Sequence, residues 1–174
     1  MPMETCKCGM SAAVLFSTRF GTTERIAKAL ESGLREAGLK TLCASVEVTA
    51  PESLKEYDLV CVGGPTEIFS ASKPMKNFLD SARRVDLEGK FGFAFDTKYD
   101  SRMSGSAAKY IEHALDDQGL HVIEPRESAI VTSQKESGKI VGAVLKEGEE
   151  GRFERIGFHI GTAIAETSAK IHAR

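Results

Sequence analysis

No apolar run in the 174-residue sequence approaches the length of a membrane span, which argues against a helical integral membrane protein. The opening stretch "MPMETCKCGM" lacks the apolar core of a secretory leader, so a cytoplasmic protein is expected. Charge is scarce in the sense that matters for polyanions. A formal net charge of -2 gives no basis for a nucleic-acid partner or an anionic membrane surface. Metal-ligand patterns are missing too. The four histidines, His113, His121, His159 and His172, are scattered. Cys6 and Cys8 form a lone C-x-C with no second Cys or His pair at zinc spacing. Cys43 and Cys61 fall inside apolar runs and read as small core residues. There are no internal repeats and no low-complexity segments.

What is present is an alternation. Short apolar runs at "AAVLFS", "KTLCASVEV", "YDLVCVGG", "KFGFAFDT" and "HVIEPRESAIVT" read as five strands, the last bent at Pro125. Helical spacing lies between and after them. Ile26, Leu30, Leu34 and Ala37 run up to Gly38; Met75, Phe78, Leu79 and Ala82 follow Pro74; Ala107, Ile111, Ala114 and Leu115 stop near Gly119. A final helix carries Phe153, Ile156, Ile160, Ile164 and Ile171. Strands alternating with helices predict an α/β fold with a parallel sheet covered on both faces. Residues 1–10 are expected to be a flexible tail and 11–174 a single domain. Residues 133–151 break the alternation and read as an inserted loop or short hairpin around "IVGAVL".

Three loops leave strand C-termini, where open α/β sheets bind ligands. The first, "STRFGTT", holds Ser17, Thr18, Arg19, Phe20, Gly21, Thr22 and Thr23 at a strand-to-helix junction. Hydroxyls, a glycine and the free N–H groups of a first helical turn suit a phosphate dianion. The plainer reading is a helix capped by Thr22. The second, residues 63–74, follows Gly63 with Gly64, Pro65, Thr66, Glu67, Ile68 and Phe69. Its glycines offer bare backbone, and Phe69 an aromatic cover. The third, residues 96–106, carries Asp96, Thr97, Lys98 and Tyr99, with Tyr99 a platform for a flat ring.

Taken together, these stretches resemble the flavodoxin-like family. "STRFGTT" is similar to its phosphate loop, S/T-x-x-x-G-x-T; "VGGPTEIFSASKPMKNFLD" resembles its second flavin loop with the following helix; "FAFDTKYDSRMSGSAAKYIEHAL" resembles its third loop in a prokaryotic subgroup. The likeness spans roughly residues 11 to 170. It implies a three-layer sandwich around a five-stranded parallel sheet of order 2-1-3-4-5, with FMN at the junction of strands one and three. By the same resemblance, FMN contacts fall on residues 17–23, 64–69 and 96–99. The implied function is electron transfer, to a redox partner protein or a small-molecule acceptor, from a monomer or a homodimer. Rival readings are an NAD(P)H:quinone-type oxidoreductase, a relative of the flavodoxin-type protoporphyrinogen oxidase (from "LFSTR"), and a flavin-free binding domain. Two departures stand out: the chain is far less acidic than dedicated carriers of the family, and it has no tryptophan to stack on a flavin.

Overall fold

In the computed structural model, which describes residues 9–173, the apolar runs become a sheet and the periodic stretches become its cover. Strand β1 (Ser11–Phe16) leads into helix α1 (Thr22–Glu36) and strand β2 (Lys40–Ser45). Two short 3-10 turns precede β3 (Leu59–Glu67), which folds back as the two-residue β4 (Ser70–Ala71). Helix α2 (Lys73–Ala82), β5 (Phe91–Tyr99), α3 (Ala107–Asp117) and a short β6 (His121–Val122) follow. Then come β7 (Glu127–Glu136), β8 (Lys139–Leu145) and α4 (Glu149–His172). The expected tail lies largely outside the described residues, Cys6 and Cys8 entirely so.

The sheet runs β2-β1-β3-β5-β7-β8. Its first five strands are mutually parallel and keep the predicted 2-1-3-4-5 order. The strand count is corrected. β8 adds an antiparallel edge, and β4 and β6 are short additions beside β3 and β5. The physical cause is the turn Ser137–Gly138, both at positive φ, which closes a tight hairpin whose twist matches the strands it joins. The irregular segment is therefore the hairpin of the two alternatives as far as Leu145, and its last residues, from Glu149, begin α4. Pro125 separates β6 from β7, since proline cannot donate to the ladder.

Each face of the sheet buries its own core. On one side Ile26, Leu30 and Leu34 of α1 meet Phe153, Ile160 and Ile164 of α4 over Phe93 and Phe95. On the other, Met75, Phe78 and Leu79 of α2 and Ile111 and Leu115 of α3 pack on Val60, Val62 and Ala94. Helices α1 and α4 touch through glycine: a Cβ at Gly33 would lie 2.0 Å from the Glu154 carbonyl oxygen. Ile171, expected on the buried face of the last helix, is exposed. No described helix is long and apolar enough to cross a membrane.

Candidate flavin site

Chain order reverses beside β1, whose neighbours are β2 and β3. The crevice above this point is where such sheets bind ligands. Here a cleft of about 300 Å³ opens, lined by Arg19, Phe20, Thr22, Pro65, Thr66, Glu67, Ile68, Thr97, Lys98 and Tyr99, and also by Val131, Ile140 and Ala143.

At one end stands the β1–α1 loop. Gly21 is the N-cap of α1 at φ 85, and no side chain caps the helix. A side-chained residue would be strained there. Thr22 is the first helical residue rather than a cap, so the plainer reading of this stretch does not hold. The first-turn N–H groups lack intrahelical partners by geometry and carry the positive end of the helix dipole. Thr18 shapes the loop by accepting from the Gly21 N–H at 2.9 Å. Ser17 is buried, shares a hydrogen bond with Ser72 at 3.2 Å, and donates its own N–H to the Gly63 carbonyl. Thr23 is fully buried and does not line the cleft: its hydroxyl meets that of the cleft residue Thr97 at 2.8 Å and ties α1 to β5. Arg19 lies over the Phe20 ring, 4.8 Å from its centroid.

The second group of residues is more regular than a loop. β3 continues to Glu67 and turns at Ile68 and Phe69, both at positive φ. Gly63 and Gly64 sit inside this strand. A Cβ at Gly63 would strike the Phe95 ring, and one at Gly64 would lie 2.7 Å from the Ser17 hydroxyl. Their bareness serves internal packing, a correction to the expected glycine wall. Ile68, 93 % exposed, lines the cleft; Phe69, 66 % exposed, does not. Phe69 pairs instead with Gly105.

Tyr99 ends β5 rather than occupying a loop, and its side chain reaches the cleft. Asp96 lies behind the wall, fully buried. Its Oδ2 accepts from Ser106 Oγ at 2.8 Å, the Ala108 N–H at 3.0 Å and Thr66 Oγ1 at 3.1 Å. Thr66 Oγ1 in turn accepts from the Ala107 N–H at 2.9 Å. One carboxylate thus caps α3 and ties it to the end of β3. Sequence reasoning missed Ser72 and Ser106, both hydroxyls at helix N-caps. It also missed Val131, which lies in the predicted fifth strand, and Ile140 and Ala143, which come from the segment it left irregular. Among the described residues, no histidine or cysteine lines the cleft. Burial pushes the Cys43 thiol up to about 12 and raises that of Cys61 further, so both stay protonated in the sheet.

A parallel sheet covered on both faces, with a ligand cleft at its switch point and an uncapped helix start at one end, defines a nucleotide-binding α/β protein of the doubly wound class. The flavodoxin family model matches residues 14–155, and the chain belongs to that family. Over 89 residues it is 33% identical to a flavodoxin of Clostridium saccharobutylicum, a match spanning 51% of this chain and 56% of that one. It is 32% identical over 111 residues to an NAD(P)H dehydrogenase (quinone) of Archaeoglobus fulgidus, across 47% of this chain and 58% of the relative. The chain thus spans little more than half the length of the curated relatives it matches. Among solved structures, an archaeal flavodoxin superposes with a TM-score of 0.73 at 22% identity, covering 90% of this chain and 99% of that one.

The family's cofactor is FMN, and the residues present fit it. The cleft is at the small end of the ~300–1,000 Å³ range of ligand pockets, room for one flat ring system. Its walls are largely apolar where Phe20, Ile68 and the Tyr99 ring stand, and among the described residues the charged side chains lining it are Arg19, Glu67 and Lys98.

Proposed function

We propose that the chain holds FMN in this cleft and carries electrons between redox partners. The uncapped start of α1, behind Gly21 and Thr18, would take the phosphate; Tyr99 and Ile68 would flank the ring; and the backbone of Pro65–Glu67 would face its polar edge. FMN, when bound, supplies the redox chemistry. The chain's part is to seat it, exclude water and set its electrostatics. Glu67 and Lys98, of opposite charge, both line the cleft.

One observation carries the choice of carrier over enzyme. The cleft has the volume for a single ring system, and among the described residues no histidine or cysteine lines it to serve a bound substrate as nucleophile or imidazole base. Ile68, which lines the cleft, and its neighbour Phe69 are exposed large apolar side chains, suited to transient docking of a partner protein. A second reading, a reductase fed by NAD(P)H, draws on the similarity to relatives named NAD(P)H dehydrogenase (quinone). Anaerobic stopped-flow mixing of the FMN-loaded protein with NADPH or NADH separates the two. A carrier keeps its flavin absorbance with either nucleotide alone and loses it when a separate reductase is added. Rapid bleaching by a nucleotide alone would establish the reductase.

A further inference from the structure

The β7–β8 hairpin lies beyond the three loops that the family resemblance assigns to the flavin, yet three of its residues line the cleft. The register explains which three. Val131 pairs with Leu145, Ser133 with Ala143, and Gln134 with Gly142. The ladder then slips, so that Lys135 pairs with Ile140 and Val141 is left out of register. A bulge of this kind re-aims the side chains beyond it. Residues directly opposite in an antiparallel pair share a face, as do residues two apart. In an unbroken ladder Val141 would stand opposite Lys135 and continue the face of Val131 and Ala143. With the bulge, Ile140 takes that place.

Val131 and Ala143 are accounted for by the core, where one is buried and the other packs against it. Ile140 is not. It is 46 % exposed and stands at the cleft's lip outside the core. All three side chains on this wall are apolar and offer no hydrogen bond. The cleft's polar and charged side chains come from other segments, at Arg19, Thr22, Thr66, Glu67, Thr97 and Lys98.

Resting on the reading that FMN occupies the cleft, we infer that the β7–β8 hairpin is a further wall of the flavin site and that Ile140 covers the carbocyclic end of the isoalloxazine ring. That end alone lacks hydrogen-bonding atoms, so an apolar wall costs it nothing in desolvation. The pyrimidine end, with its carbonyls and ring N–H, needs the polar partners on the other walls.

The bulge supplies a matched control. Val141 is the adjacent residue, similarly exposed and β-branched, and does not line the cleft. FMN and riboflavin are titrated separately into cofactor-free wild type, Ile140→Asp, Ile140→Ser and Val141→Asp, with circular dichroism to verify folding. A charge against the ring should weaken both flavins by the same factor, about tenfold or more, because the wall touches ring and not phosphate. Ile140→Ser should fall between, and Val141→Asp should match wild type. Unchanged affinity in folded Ile140 variants, or equal losses at Ile140 and Val141, would overturn the inference while leaving FMN binding intact. Failure of the wild type to bind either flavin would overturn the cleft assignment itself.

Discussion

Ile68 and Phe69 occupy the two central positions of the β3–β4 turn, both with left-handed backbone. Asn-Gly is the pair that such a turn favours, because a side chain at positive φ costs about 1–2 kcal/mol. A β-branched residue is the least suited of all. The sequence keeps two large apolar residues in this strained turn and holds them in solvent. Strain at a ligand site is retained where the side chains do something that Asn-Gly could not. The Ile68→Asn, Phe69→Gly double variant should therefore raise the stability of the cofactor-free protein by about 1 kcal/mol. It should at the same time weaken FMN binding. Paired thermal unfolding and flavin titration check this, and a joint fall in stability and affinity would remove the strain argument. This turn was legible in the sequence only as composition. The aromatic at 69 drew attention, but the residue that lines the cleft is its neighbour, since hairpin geometry decides which of two adjacent side chains faces inward. Asp96 was less legible still. Its partners lie 10, 12 and 30 residues away, and only the fold reveals that it ties two segments together instead of facing a ring.

Among the elements, β2, with no buried residue, was legible only from its apolar composition, whereas α1, α2, α3 and the other parallel strands could be read from pattern because each buries a clear stripe or a continuous run. The edge hairpin could not. β8 is half exposed, glycine interrupts it, and the bulge breaks its alternation, so neither period shows. The close contact of α1 with α4 was also hidden, because a glycine inside a helix pattern looks like a weakness until the opposing backbone is known. The base of the hairpin is fastened to α4 by charge. Glu149 Oε2 accepts from the Ile130 N–H at 2.8 Å and from Arg152 at 3.0 Å, and Arg152 also reaches Glu127 at 2.8 Å. Burial works to raise the Glu149 carboxyl. The hydrogen bonds from Arg152 and Ile130 outweigh it and hold the group below its ordinary 4.5. A carboxylate more acidic when folded than unfolded contributes its full stability above the unfolded value and loses it as pH falls through the folded one. Glu149→Gln should lower stability by about 2 kcal/mol at neutral pH, where charged hydrogen bonds are lost. The gap between variant and wild type should narrow below about pH 4. Thermal unfolding between pH 3 and 7 reads both, and a gap independent of pH would contradict the assignment.

For the molecule as a whole, one sheet carries a core on each face and the candidate cleft at the C-terminal ends of its strands, and the cleft's walls come from segments far apart in sequence. The phosphate end is the part that the chain encodes most locally: a glycine at φ 85, a threonine bonding its N–H, and a helix with no side-chain cap. On the proposed reading, this end holds the phosphate dianion. Titrating the cofactor-free protein with FMN and with riboflavin isolates that contribution, because the two ligands share ring and ribityl chain and differ only in the phosphate. Hydrogen bonds to a charged group contribute ~1.5–3 kcal/mol each, so two such bonds predict FMN tighter by about a hundredfold or more. Riboflavin binding as tightly as FMN would show that the start of α1 is not a phosphate seat.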